Sequence, residues 1–406
     1  MGPYLAFFAE LAKPNMSATD FDVELQKIDQ AIAELEPDAL AIPINSEQAT
    51  KYVYLLYQRA SLAGDLAAFG KVEAALKQAI DEIGPAQDLY LLKANLDFKF
   101  HRLAEVRIDL ETGRGLSDTT QGRALRADLD FQEGKYDEAR RGYDAVINDD
   151  LTWDNLARLA YFKWKLGDTT GADDLYAQAG DELTAKEMRH YAWLELQRGV
   201  LDLRQGRYED AQAHYDRADR AYSGYWLVDD HKAELLGAQE RAEEAAQLYE
   251  KVIARAPKPE LQQALGELYE AMGQSDKAEA CYDKTLAAYL DSAEHGDVHF
   301  YHHLVDFYAD VREQGTEAVK WARKDIELRR NFSTLAALAW ALYRADEFVE
   351  ARDTMTEALA SGVTDAHLFY QAAMIHQACS VNGNADRYLR LAASINPHYR
   401  SFHVHR

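Results

Sequence analysis

One spacing recurs along most of this chain, and it constrains the fold more tightly than any other feature. Its clearest copy is Leu203 to Tyr222, LRQGRYEDAQAHYDRADRAY, where Tyr208, Ala211, Tyr215 and Ala218 follow Gly206 by two, five, nine and twelve places. The last three share one helical face. A glycine at the head of the pattern suits the stop between two helices. Equivalent turn positions fall at Gly64, His101, Gly134, Gly167, Gly206, Glu240, Gly273, Glu313, Asp346 and Ser380, separated by 37, 33, 33, 39, 34, 33, 40, 33 and 34 residues. A period near 34 with small insertions predicts a helix–turn–helix array.

Five places after the turn stands a small residue: Ala139, Ala172, Ala211, Ala245, Ala278, Ala318, Ala351 and Ala385. A methyl group there lets the two helices of a unit approach closely. Nine places after it stands a large one, Tyr143, Tyr176, Tyr215, Tyr249, Tyr282, Met355 or Leu389, sized to fill the gap toward the next unit. Pro257 and Pro397 close units, because proline removes a donor and clashes with the preceding turn. Only 8 prolines, frequent alanine and few alternating Val, Ile and Thr runs favour helix over strand.

These units resemble tetratricopeptide repeats. The best match is Pro259 to Leu286, carrying Leu265-Gly266, Tyr269, Gly273, Ala278 and Tyr282; Thr120 to Ile147 and Ala192 to Ala218 are nearly as good. The first two units depart from the pattern, with Phe69 and Val106 at the small position, and Ala322 stands at a tyrosine position. The resemblance implies an all-α fold, a right-handed α-solenoid superhelix of antiparallel helix pairs, about ten repeats long. The expected division is a degenerate helical cap over 1–49, tandem repeats over 50–397 and a tail over 398–406. Within the cap, Pro3 to Ala12 and Asp20 to Glu34 read as helices and Pro37 to Ser46 as a loop. The first of these helices has two readings, a cap on the core or a segment folded back into the array's own groove. The insertion Thr112 to Thr119 reads as an inter-repeat loop.

Composition narrows the function. With 45 basic and 69 acidic residues the formal charge is −24, which repels phosphate backbones and anionic lipid and attracts a basic partner. Nucleic acid is therefore not an expected partner. No apolar run approaches the ~20 residues of a membrane span. Cys281 and Cys379 lie about three repeats apart, too far for a disulfide's ~4.4–6.8 Å Cα separation, and no CxxC occurs. A cytoplasmic location is expected, or a periplasmic one if a leader has been removed. No nucleophile elbow, phosphate loop or dinucleotide fingerprint is present, so an enzyme is not expected and no cofactor is implied.

Three constellations could still carry chemistry. His299, His302 and His303 share a helix face, with His295 and Asp306 nearby, and neutral imidazoles at that spacing suit zinc or copper. His398, His403 and His405 form a second group in the tail. Adjacent acids such as Glu243-Glu244 and Asp173-Asp174 diverge by about 100° on a helix and read as a solvated face.

The resemblance also implies that the first helix of each unit lines a concave groove. Carried onto this numbering, the groove residues are Tyr161, Trp164, Trp193, Arg204, Glu234, Glu267, Glu270, His303, Phe307, Trp340, Tyr343 and Tyr370, with Tyr54, Phe98, Asp128, Phe131, Lys165 and Glu260 among the flanking positions. Aromatic side chains beside carboxylates suit a peptide with apolar anchors and Lys or Arg. Repeats of this kind that grip an acidic chaperone tail use lysine at a unit's fifth position. Here those positions hold no basic residue, and Asn95 is the only asparagine at a ninth position. The sequence thus reads as a non-catalytic scaffold binding a protein or peptide segment in its groove. The alternative is a small-ligand or metal-binding repeat protein centred on His299, His302 and His303. A third reading is self-association, with acidic rods stacked through the tail.

Overall fold

The computed structural model describes residues 18–39 and 45–400. The segment Pro3 to Ala12, and His403 and His405, lie outside the described residues. A lone helix α1 (Asp20–Ala39) precedes ten pairs. The first five pairs are α2 (Ser46–Ala63) with α3 (Phe69–Ile83), α4 (Gln87–Lys99) with α5 (Leu103–Thr112), α6 (Thr120–Gln132) with α7 (Tyr136–Asp149), α8 (Trp153–Lys165) with α9 (Thr169–Asp181), and α10 (Met188–Arg204) with α11 (Tyr208–Ala221). The last five are α12 (Trp226–Ala238) with α13 (Ala242–Arg255), α14 (Pro259–Ala271) with α15 (Ser275–Glu294), α16 (Tyr301–Asp306) with α17 (Gly315–Leu328), α18 (Phe332–Arg344) with α19 (Phe348–Leu359), and α20 (Ala366–Ala378) with α21 (Asn382–Ile395). A π turn, Phe307–Val311, extends α16, and a single 3-10 turn, Leu116–Asp118, sits in the expected insertion. Among the described residues there is no strand.

The ten marks on the sequence are the ten left-handed residues that end the first helix of each pair. Their φ angles run from 51° at Glu313 to 96° at Gly167. At Gly206 the turn closes when the Arg207 amide donates to the Asp202 carbonyl at 2.9 Å. The same six-residue closure recurs from Asp65 to Ala60, Arg102 to Asp97, Arg241 to Leu236 and Val381 to His376. The unit of α16 departs from it: Gln314 reaches back to Tyr308, one residue further, because the π turn has inserted a residue.

The packing follows the reading of the repeat. Ala139, Ala172, Ala211, Ala245, Ala318 and Ala351 are fully buried. Tyr176, Tyr215 and Tyr249 are among the largest fully buried side chains. A Cβ on Gly266 would meet the Tyr282 ring at 2.6 Å, so glycine on the first helix makes room for tyrosine on the second. Each such buried ring contributes roughly 1.5–3 kcal/mol.

The N-terminal segment departs from expectation. α1 does not end near Glu34 but runs through Pro37 to Ala39, so the first three residues of the expected loop are helical; residues 40–44 of it lie outside the described residues. Its face of Phe21, Ile28 and Ile32 is buried, and Phe21 stacks on Tyr225 at 6.3 Å. That burial holds the helix together beyond the point where propensity alone would stop it. The next helix begins at Ser46, capped by the Asn45 side chain.

The array is not an open spiral. The turns of the first four pairs pack against the start of a pair five or six units further on, and the turn of the fifth packs against the segment after the last helix. The Trp226 indole donates to the Leu62 carbonyl at 2.9 Å across 164 residues. Asn331 donates to the Gln132 carbonyl at 2.8 Å, and the Phe332 amide donates to the Tyr136 hydroxyl at 2.7 Å. Tyr208 stacks on His398 at 5.1 Å. At the head of the chain, the Tyr222 hydroxyl donates to Glu24 at 2.7 Å. These contacts bind two superhelical turns together along a continuous seam and enclose the space between them.

Candidate functional site

Two adjoining cavities follow from this closure. The inner one, about 760 Å³, lies between the two superhelical turns. The outer one, about 620 Å³, opens on the concave face of the first five pairs. Ser61, Phe98, Gln132, Tyr161 and Tyr225 line both, so the two are continuous.

The outer cavity is aromatic. Tyr54, Tyr57, Phe131, Trp153 and Trp193 line it. Tyr54 is 51% exposed and Tyr161 37%, among the few large hydrophobic side chains the described chain leaves open. The Trp153 and Trp193 rings meet edge to face at 6.4 Å, and Trp153 stacks on His190 at 4.6 Å. Its charged groups are largely engaged: Arg158 pairs with Asp128, and Arg189 pairs with Glu24 of α1 at 3.2 Å.

The inner cavity is polar and gathers four half-buried imidazoles, His101, His299, His302 and His303. His101, the left-handed residue at the end of α4, reaches across the seam to His299 and His302, with ring centres 5.4 and 5.6 Å away. His302 and His303 lie 4.0 Å apart, and His303 stacks on the buried Tyr289 at 5.4 Å. Burial disfavours the charged form of all four. It pushes His101 down to about 2 and His299 and His303 down to about 4, with the nearby Arg329 and the other imidazoles adding to the effect at His101. His302 is held well below its ordinary value for the same reasons. The cluster is therefore neutral near pH 7. Burial also drives Asp306 well above the usual carboxylate range, reinforced by Asp310, Asp325 and Glu267. Arg329 makes a two-pronged pair with Asp325 at 3.0 and 3.2 Å. Lys258 pairs with Glu260; burial raises the carboxyl's pKa, but the charge and hydrogen bond of Lys258 outweigh it and hold Glu260 down to about 2.

The residues expected in the groove fall into two sets. Tyr161, Trp164, Arg204 and His303 come together on the inner cavity, and Trp193 lines the outer one. The other seven line neither cavity. Glu234 is buried and bonded to His231 at 3.1 Å. Glu267 accepts from Gln263 at 3.1 Å, and Glu270 accepts from the Tyr282 hydroxyl at 2.7 Å. Phe307 is fully buried against Tyr282, at the head of the π turn. Trp340 donates to Asp310 at 2.9 Å and stacks on Tyr343 at 4.8 Å. Tyr370 meets Tyr399 at 5.8 Å.

Four inner residues, Lys99, His101, Lys258 and Trp226, were outside the sequence-based groove list, because each sits at a turn or a helix start rather than on a helix face. Among the described residues no three His, Cys, Asp or Glu side chains converge to hold a metal ion. His299, His302 and His303 gather with a fourth histidine instead. His295 is exposed and bonds the Asp291 carbonyl at 2.7 Å. In the acidic pairs, Asp173 binds Arg198 and Glu244 binds Arg241. Both cysteines are free.

No family model and no curated protein matches the chain. Solved structures similar to it are helical. A tetratricopeptide repeat protein from Parabacteroides merdae is 18% identical, covering 61% of this chain and 94% of that one, with a TM-score of 0.37. The Cut9-Hcn1 hetero-tetramer of the APC/C is 15% identical over 92% of this chain and 79% of that one, at 0.45. Yeast Tom70 is 13% identical over 92% and 89%, at 0.41. At such scores these likenesses carry no argument. The class of the protein rests on its own ten helix pairs and left-handed turns: it is an α-solenoid of helix pairs with tetratricopeptide-like spacing. Among the described residues no helix is long and apolar enough to cross a membrane.

Proposed function

We propose that the protein is a non-catalytic binding scaffold that holds a segment of another protein in the outer, aromatic cavity. The observation that carries this reading is the open aromatic floor made by Tyr54, Phe131, Trp153, Tyr161 and Trp193, contributed by first helices of four of the first five pairs. Elsewhere the rings of the repeats are spent on packing. Exposed aromatic faces suit apolar anchors and the side chains of Lys and Arg. The basic character of the segment follows from the field of a chain at −24. It does not come from groove acids, since Glu234 and Glu270 already accept protein donors. An array of peptides varying in aromatic anchors and in Lys and Arg content tests this reading. Peptides with both features bind, and Trp193→Ala with Tyr54→Ala weakens them by about tenfold or more. Binding indifferent to both substitutions, or confined to acidic peptides, contradicts it.

A further inference from the structure

The inner cavity has a charge balance opposite to that of the molecule around it. Its lining carries five basic side chains, Lys99, Lys165, Arg204, Lys258 and Arg329, against four carboxylates, Glu260, Asp306, Asp325 and Asp365. Glu260 and Asp325 are spent on Lys258 and Arg329. Asp365 caps α20 by accepting from the Leu368 amide at 2.9 Å. Asp306 is driven toward its uncharged form by burial. Among the described residues no carboxylate forms an ion pair with Lys99 or Lys165.

Lys99, the last residue of α4, forms no ion pair among the described residues and lies 5.4 Å from the centre of the Phe69 ring. Burial and the neighbouring Lys258 both lower its pKa, and the charge on Glu260 only partly offsets them. Lys165 also has no carboxylate partner; its ammonium sits 4.3 Å over Trp164 and 5.3 Å over Tyr161. In the same cavity, the Nδ1 atoms of His299 and His302 are buried with no hydrogen-bond partner. Buried polar atoms are ordinarily satisfied, and buried cations are ordinarily paired. Here two buried imidazole nitrogens have no hydrogen-bond partner and two partly buried lysines have no ion pair, all facing one space with aromatic walls.

We infer that the inner cavity is a binding site for an organic anion, an apolar body carrying one carboxylate or phosphate, with Lys99 and Lys165 as its counter-charges and His299 and His302 as hydrogen-bond partners. The volume of about 760 Å³ is far larger than an inorganic ion requires and falls in the range of small-molecule sites. Phe98, Trp164 and Trp226 would cover the apolar body. This site adjoins the aromatic floor that carries the proposed segment binding and shares Phe98 and Tyr161 with it, but Lys99, Lys165, His299 and His302 do not line the outer cavity.

Calorimetric titration of the full chain with 2-naphthoate, 2-naphthyl phosphate, neutral 2-methoxynaphthalene and inorganic phosphate tests the inference. The two naphthyl anions bind, and their relative affinities tell carboxylate from phosphate. The neutral analogue and inorganic phosphate bind at least about tenfold more weakly, each lacking half of the recognition. Lys99→Met and Lys165→Met each weaken the naphthyl anions by about tenfold while leaving the neutral analogue unchanged, and Lys99→Arg restores affinity. If Lys99→Met does not fold, the comparison of charged with neutral naphthyl compounds in the unaltered protein still decides. Equal binding of charged and neutral compounds, no binding of either, or affinity unmoved by a folded Lys99→Met overturns the site. None of these outcomes bears on the peptide array.

Discussion

The first five turns and the last five adopt the same backbone with different residues. Gly64, His101, Gly134, Gly167 and Gly206 end the first helices of the early pairs; Glu240, Gly273, Glu313, Asp346 and Ser380 end those of the late ones. All ten have positive φ. Positive φ is therefore not what demands glycine here, since four late turns do without it. The difference lies in what the turns touch. A Cβ on Gly64 would stand 2.7 Å from the Trp226 ring, and one on Gly206 would stand 2.5 Å from the Asn396 side chain. A Cβ on Gly134 would run into the Arg330 carbonyl, and one on Gly167 into Thr364. Around Gly273, in the late half, nothing lies within 4 Å. Glycine is kept where one superhelical turn presses on the next; of the five late turns, four carry charged or polar residues and one, Gly273, carries a glycine that no contact requires. The early exception, His101, is the residue that crosses the seam with its side chain and joins the imidazole cluster.

The largest effect that would break this comparison is expected at the seam. Gly134→Ala meets a backbone carbonyl that cannot move aside, and should cost about 2–5 kcal/mol, the left-handed penalty plus an overpacked contact. Gly273→Ala carries only the left-handed penalty, about 1–2 kcal/mol. Urea unfolding of the two variants measures the gap, and equal losses would remove packing as the reason for glycine.

His101→Asn keeps a residue that tolerates left-handed backbone and removes one imidazole. The folded His101 stays neutral down to about 2, whereas the unfolded side chain takes a proton near 6.5. Below that pH the unfolded state binds more protons, so the native histidine loses stability as pH falls from about 6.5 by up to ~1.4 kcal/mol per pH unit. Asp230, raised to about 6 by burial, acts in the opposite direction over the same range. The variant isolates the histidine: its stability should fall less than that of the unaltered chain between pH 7 and pH 5. Smallest is Asp346→Gly, where relief of the left-handed residue and the entropy of glycine nearly cancel, leaving a change below about 1 kcal/mol.

The repeat was legible because its marks are local. Ala211 and Tyr215 pack within one unit or against the next, and their spacing records it. The closure was not read, because contacts between Leu62 and Trp226 or between Gln132 and Asn331 leave no periodic trace and a solenoid is ordinarily a chain of nearest neighbours. A signal was nonetheless present in the alternation of glycine with charged residues at equivalent turns. The same omission explains the uneven placement of the groove residues. Tyr161, Trp164, Arg204 and His303 face the enclosed cavity, as a map of the first helices implies. Phe307 heads a π turn that rotates the following residues out of register, and Glu234 is drawn toward His231. Lys99 and His101 belong to a turn, and only the second superhelical turn gives that turn an interior to face.

The central claim is that two superhelical turns are held against each other. Cysteines at Gln132 and Asn331, in a Cys281→Ala and Cys379→Ser background, place two thiols on opposite sides of the seam, where Asn331 now reaches the Gln132 carbonyl at 2.8 Å across 199 residues. A thiol cross-linker spanning about 10 Å, beyond the ~7 Å limit of a direct disulfide, tolerates imperfect geometry. The closed structure predicts rapid, nearly complete intramolecular cross-linking of the native protein, abolished in urea. Two thiols that remain unlinked in the folded chain, as in an open spiral, would contradict the seam and the enclosed cavity with it.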